Sequence, residues 1–226
     1  MTDEEQARQD EEMKRLVEWG AKTQAIAEDL MAKDPSLPYM TATIIANDVM
    51  SADLRTQEVE AGRDPKDVVW LVGSFARWGW AVAMVSAGKL DADWFSENIA
   101  DLWRGSDPDD TDPSNLNIWR RSFAQRGGII RDGRPLPRKG KDGMITVFRG
   151  GNPATVGKGF AWTTDPKIAK KFARTHGTRQ AMPNGVVISG LVRPLNCLAY
   201  LTGRGESEVI VDPRLITDIH QVGEYR

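Results

Sequence analysis

The spacing of apolar positions changes character near the middle of the chain. From Glu4 to about Arg126 apolar residues recur at intervals of three and four, the mark of helices with one buried stripe. The segment EEMKRLVEWGAKTQAIAEDLMAK, 11–33, sets Leu16, Val17, Ile26 and Leu30 on an otherwise charged surface and predicts one helix. TATIIANDVMSADLRTQEVEAG, 41–62, predicts a second. Asp64 and Pro65 supply an N-cap and a first-turn proline for a third, the most apolar, through Trp70 to Met84. DADWFSENIADLWRG and SNLNIWRRSFAQRGG complete the set, closing at Gly105 and Gly127. Trp70, Trp78, Trp80, Trp94, Trp103 and Trp119 fall at helical spacing and read as core.

From Arg131 the period shortens. RDGRPLPRKGKDG, 131–143, is rich in Pro, Gly and basic residues and reads as a linker. Beyond it, MITVFRG, GVVISGLVR, NCLAYL and SEVIVD are strand-like runs bounded by Gly, Pro and Asn. One helix interrupts them, with Asp165 as N-cap, Pro166 as first residue, Ala169, Phe172 and Ala173 as the buried stripe and Gly177 as the stop. The pattern is α+β: a helical region over 1–130, a linker over 131–143 and a β-rich core over 144–226.

Composition narrows the functional classes. The chain has 226 residues, 40% of them apolar, and a formal net charge of −2, which excludes a polyanion-binding surface over the whole molecule. The basic 131–143 segment is compatible with an acidic partner or nucleic acid, though a solvated linker is the preferred reading. Cys197 is alone, so no internal disulfide forms and a reducing compartment fits. No Cys/His cluster suggests a metal; His220 is isolated, and His176 reads as a charge in the last turn of its helix. Val68–Gly88 approaches the length of a membrane span, but Arg77 sits at its centre and Gly73, Ser74, Gly79 and Ser86 interrupt it, so a buried helix and no membrane contact are expected. The N-terminus is acidic where a secretory signal would be basic and then apolar, so a cytoplasmic location is expected. Asp107, Asp109, Asp110 and Asp112 lack the spacing and the terminal Glu of a calcium loop and read as a solvated turn. No GxGxxG follows a strand, which disfavours a Rossmann domain.

Three features of the β-rich half carry candidate chemistry. In VFRGG, Arg149 ends an apolar strand and Gly150 and Gly151 follow it, so a ligand can approach the backbone while the guanidinium clamps phosphate. In FAWTTD, Trp162 and the hydroxyls of Thr163 and Thr164 precede the capped helix. In GESEVIV, Glu206 and Glu208 open a strand, where alternation places them on one face, one rung apart.

In this order the three resemble the ADP-ribosyltransferase superfamily, in its Arg–Ser–Glu branch of bacterial and phage mono-ADP-ribosyltransferases. There an Arg ends the first strand, a Ser-Thr-Ser stretch ends the second and a Glu-x-Glu pair starts a later one. The matching elements are Arg149, Thr163-Thr164 and Glu206/Glu208, and the resemblance spans Ile145 to Pro213. The serine of the second motif is missing: Ala161, Trp162 or Thr163 stands in its place, depending on the alignment.

The resemblance implies a split β-sandwich of two small sheets with flanking helices and NAD, as substrate, in the cleft between them. It implies cleavage of the nicotinamide–ribose bond and transfer of ADP-ribose to a macromolecular acceptor, protein in preference to nucleic acid, without a metal. Glu208 would stabilise the charge that develops on the ribose, Arg149 would hold a phosphate or the ribose, and Thr163 or Thr164 would orient Glu208. Trp162 or Phe172 would pack against nicotinamide, with helix packing the preferred job of Phe172. Glu206 would sit beside the acceptor; relatives with Glu there modify arginine, so a guanidinium acceptor is implied. A toxin or phage effector fits such a protein. Two alternatives stay open: an NAD glycohydrolase with water as acceptor, and an inactive binding module.

Overall fold

The computed structural model describes residues 3–137, 140, 142–175 and 184–225. The chain divides into two compact units, Met1–Asp91 and Ala92–Arg226. In the first, α1 (Asp3–Lys33) and α2 (Tyr39–Glu60) meet through the fully buried small residues Ala27, Ala42 and Ala46, ringed by Ile26, Leu30, Met31 and Leu37. Leu16 and Val17, earlier on α1, are 60% and 65% exposed. The C-terminal half of α2 is engaged elsewhere, with Thr56 accepting the Trp80 indole N–H at 2.9 Å.

The apolar run after Asp64 does not form one helix. Asp64 and Pro65 open only the short α3 (Pro65–Val68), a 3-10 turn follows, and α4 (Ser74–Ser86) starts afresh after Gly73. The restart is capped from outside: Asp48 of α2 accepts the Phe75 N–H at 2.9 Å. Trp78 and Trp80 are buried as expected, while Trp70 is 40% exposed under the Arg77 guanidinium. Among the described residues no helix is long and apolar enough to cross a membrane.

The second unit holds α5 (Ala92–Arg104), α6 (Pro113–Gln125), α7 (Pro166–Arg174) and strands β1 (Ile130–Arg131), β2 (Ile145–Gly151), β3 (Ala161–Thr163), β4 (Gly185–Val192), β5 (Cys197–Leu201), β6 (Glu208–Val211) and β7 (Thr217–Tyr225). The unit boundary at Asp91 differs from the expected division near 131. Composition changes there because element type changes, yet α5 and α6 belong with the sheet. The first residues of the expected linker are likewise structural, since β1 pairs parallel with β5 and the Asp132 side chain is only 9% exposed.

The strands form one mostly antiparallel sheet in the order β1-β5-β6-β3-β2-β4-β7, so the fold class is α+β. Two separate sheets were expected; instead two halves join at a single residue pair, Phe148 of β2 with Thr163 of β3. By contrast β2 and β4 pair along seven positions. Ile145, Val147, Trp162, Val186, Ile188, Val209 and Val211 belong to one buried cluster, and α7 packs Ala169 and Ala173 against Val187 and Phe148. The strand β7 was not anticipated, because its residues are exposed on both faces and show no alternation.

Helix α7 begins as the sequence requires: Asp165 accepts the Lys167 N–H at 2.8 Å and Pro166 occupies the first turn. Its stripe is narrower than expected, since Ala169 and Ala173 are fully buried but Phe172 is 43% exposed. His176 and Gly177 lie outside the described residues. The two alanines allow close approach to β2, and Gly150 completes it: a Cβ there would fall 1.8 Å from the Ala169 carbonyl oxygen. The glycine is explained by helix packing, without a ligand. Gly150→Ala is therefore expected to cost about 3 kcal/mol or more, read as a lower urea midpoint with an unchanged slope.

Candidate active site

A cleft of about 540 Å³ lies in the sheet-bearing unit, lined by Phe148 to Gly151 of β2, Ala161 to Thr163 of β3, one face of α7, the 106–111 loop, Glu206 and Glu208. Its volume is in the range that holds small organic ligands. Arg149, Gly150, Gly151, Trp162, Thr163, Phe172, Glu206 and Glu208, singled out from the sequence, all line it; Thr164 does not.

Arg149 reaches across the joint in the sheet. Its guanidinium forms a two-pronged ion pair with Asp110, Nη2 to Oδ1 at 2.9 Å and Nη1 to Oδ2, and Nη1 also donates to the Ala161 carbonyl. Asp110 in turn accepts the Ala161 N–H at 3.3 Å, and its own carbonyl accepts the Phe160 N–H at 2.9 Å. Asp110 is thus no solvated turn residue, as the loop's composition suggested, but the anchor of Arg149 and of the start of β3. Gly159 makes room for this, since a Cβ there would lie 2.2 Å from the Arg149 guanidinium. The Nε of Arg149 is buried without a hydrogen-bond partner. Asp109 and Asp112, by contrast, close local turns onto the Thr111 and Ser114 N–H groups, and Asp112 caps α6.

The glutamate pair is not a pair of strand rungs. Gly203–Gly205 form a 3-10 turn, Ser207 sits in the left-handed region at φ 48°, and β6 begins at Glu208. Both carboxylates nevertheless line the cleft, brought there by the turn. Thr163 Oγ1 donates to the Glu206 carbonyl at 2.6 Å and accepts the Asp165 N–H at 3.1 Å, while the Thr164 N–H donates to the Ser207 carbonyl at 3.0 Å. The threonine hydroxyls expected to orient Glu208 hold the backbone of this turn instead.

Asp132 fixes the other side of the turn. It accepts the Thr202 and Gly203 N–H groups at 2.6 and 2.7 Å and the Thr202 hydroxyl at 2.8 Å, and it pairs with Arg104 at 2.9 Å. Burial pushes its carboxyl up, but the hydrogen bonds from Gly203 and Thr202 and the Arg104 charge outweigh this and leave it below the usual carboxylate range.

The Glu208 carboxylate is held by Trp103 of α5, whose indole N–H donates to Oε1 at 3.2 Å. Trp103 is itself clamped, edge-on to Trp119 at 5.6 Å and tilted against Phe160 at 5.4 Å. Burial raises Glu208 from an ordinary 4.5 to about 7; the Trp103 bond and Arg149 oppose the rise, and the charges of Glu206 and Asp110 add to it. The structure thus sets the carboxylates of Glu206 and Asp110 and the guanidinium of Arg149 within electrostatic reach of Glu208.

The two aromatic candidates separate. Trp162 is 1% exposed, belongs to the buried cluster and donates its indole N–H to the Gly159 carbonyl at 2.9 Å, so its ring is core. Phe172 is the aromatic with an open face on the cleft. Cys197, the lone thiol, is buried and pushed up to about 11, which leaves it no nucleophilic role. Among the described residues no three His, Cys, Asp or Glu side chains gather as a metal site.

No family model, curated protein or solved structure matches the chain. Sequence reasoning missed Trp103 and Asp110. Nothing distinguished the former from its neighbouring core tryptophans or the latter from three nearby aspartates; only the fold pairs them with Glu208 and Arg149.

A carboxyl whose folded value lies above its unfolded one favours the fold at low pH, and that contribution is lost as pH rises through about 7. Keeping Glu208 charged costs at most roughly 3 kcal/mol, less to the extent that its side chain keeps some exposure. Glu208→Gln should accordingly raise the melting temperature at pH 8.5 and leave it nearly unchanged at pH 4, as scanning calorimetry at the two values will show.

Proposed function

We propose that this cleft binds NAD and that the protein is an ADP-ribosyltransferase acting on a macromolecular acceptor. The observation that carries the reading is the convergence of Arg149, Glu206 and Glu208, from separate segments, on one cleft. In this reading the weak joint between β2 and β3 is the split of an ADP-ribosyltransferase-like β-sandwich. Glu208, held by Trp103, faces the ribose next to nicotinamide. Phe172 offers its open face to the nicotinamide ring. Arg149 is a cation on the wall of the cleft, fixed by Asp110, and a phosphate must share it with that carboxylate.

The bond from ribose C1′ to the nicotinamide nitrogen breaks with its electron pair going to the ring, which becomes neutral. Positive charge then develops on the ribose, as in other glycosyl transfers, and a fixed carboxylate in a site screened from water stabilises it. An acceptor nitrogen bonds to C1′ and releases a proton to Glu206. A guanidinium acceptor suits this arrangement, because its charge relieves the repulsion between Glu206 and Glu208.

Incubation of the protein with labelled NAD and a cell lysate tests the reading. Labelled macromolecules are expected with the wild type, and Glu208→Gln should lower the rate by about a hundredfold or more. Labelling undiminished in that variant would overturn the role given to Glu208. Rapid nicotinamide release without any macromolecule present, and no labelling with one, would replace transfer by hydrolysis.

The pH dependence has a definite sign. The reaction needs ionised Glu208, so kcat/KM should fall about tenfold per pH unit below about 7 and level off above it. A profile flat between pH 5 and 8 would contradict the assignment.

A further inference from the structure

In the motif that this chain resembles, a serine hydroxyl stands beside the second glutamate; here both candidate hydroxyls are committed to backbone. Thr163 Oγ1 already donates to Glu206 and accepts from Asp165, and Thr164 Oγ1 lies 3.4 Å from the Ser207 carbonyl. Neither is paired with the carboxylate of Glu208, which instead receives the indole N–H of Trp103 from a helix 105 residues away in sequence. We infer that Trp103 is the positioning residue of the site, the donor that fixes the Glu208 carboxylate at the reacting ribose. The inference rests on the reading of the cleft as an NAD-cleaving site.

The donor is well suited to the task. An indole N–H cannot accept a hydrogen bond, so it presents a fixed donor to an ionised carboxylate, whereas a hydroxyl can turn either way. Rotation of the ring is restrained on two sides by Trp119 and Phe160. Trp103 is 5% exposed and the bond itself is part-buried, which strengthens it relative to one in open water. The other groups that act on Glu208 are charges rather than short-range donors to it: Glu206 from the turn, Asp110 from the 106–111 loop and Arg149 from β2. Removing the indole N–H therefore leaves the carboxylate free to rotate and raises the pH at which it ionises.

The test combines a structural and a kinetic readout. The chain has eight tryptophans, and the indole N–H resonance of Trp103 is assigned in the folded wild type from the through-space contacts of its ring to Trp119 and Phe160. In the wild type that resonance should titrate with a midpoint near 7, and in Glu208→Gln it should be flat across the same range. Trp103→Phe keeps an aromatic ring in the clamp and is expected to lower kcat for NAD cleavage by roughly ten- to a hundredfold. Its KM for NAD should stay within about twofold, since phenylalanine keeps an aromatic ring on the stretch of cleft wall that Trp103 lines. The acid limb of its pH profile should move to higher pH, a change that loosened packing alone would not produce.

A Trp103 resonance that does not titrate, or that titrates unchanged in Glu208→Gln, overturns the proposal even if Trp103→Phe fails to fold. So does a Trp103→Phe enzyme with the wild-type pH profile. Wild-type protein that cleaves no NAD sinks the underlying reading as well. A flat Trp103 resonance alongside intact NAD cleavage ends only the role given to Trp103.

Discussion

Glu208 is a half-buried carboxylate on which Glu206, Asp110, Arg149 and Trp103 all act, from four different segments of the sheet-bearing unit. Desolvation is the largest influence on it, and the surrounding compensation is modest: one neutral indole donor and the charge of an arginine already paired with Asp110. An uncharged amide of the same shape would suit the fold better above neutral pH. A group that costs stability where it stands, and is nevertheless positioned by several elements, is characteristic of sites that do chemistry. Asp132 differs in this respect: its side chain is 9% exposed but fully supplied with donors.

The same economy governs the joint between the half-sheets. A β-ladder one pair long leaves backbone groups that must find other partners. At Ala161 those partners are side chains: Asp110 takes its N–H and Arg149 takes its carbonyl. Arg149 thus replaces part of a ladder between β2 and β3, and the space that a longer ladder would fill belongs to the cleft. The row Phe148, Thr163, Glu208 crosses β2, β3 and β6 at this point, so among the described residues the rung that bridges the halves is also the rung that carries the half-buried Glu208.

Much of this was legible in the sequence. Apolar runs ending in Gly or Pro located β2, β4, β5 and β6, and Asp165-Pro166 located the start of α7, because strand burial and helix capping are local in sequence. The ordered positions of Arg149, Glu206 and Glu208 pointed to one site. What was not legible depends on contacts between distant segments. Gly73 breaks an apolar run because Asp48 caps the next helix from another element. Ser207 leaves the strand conformation because Thr163 and Thr164 hold its neighbours and its own carbonyl. Phe172 looked buried by helical spacing, yet it overhangs a cleft that only the completed sheet creates. Trp103 and Asp110 carried no local mark at all.

The charges in the cleft bear on how the proposed reaction would be driven to completion. Among the described residues, Asp107, Asp109, Asp110, Glu206 and Glu208 line the cleft against only Arg104 and Arg149, so it carries surplus negative charge whenever Glu208 is ionised. NAD is not uniformly attractive to such a surface: its nicotinamide end is cationic and its pyrophosphate anionic. If NAD binds as proposed, the carboxylates would favour its nicotinamide end at Glu208 and leave the pyrophosphate to share Arg149 with Asp110. When the glycosidic bond breaks, the electron pair neutralises the ring and the attraction passes from the leaving group to the ribose, where charge is then developing. In the proposed reaction the field that favours the cationic end of the substrate would thus let the neutral ring go and hold the fragment to be transferred.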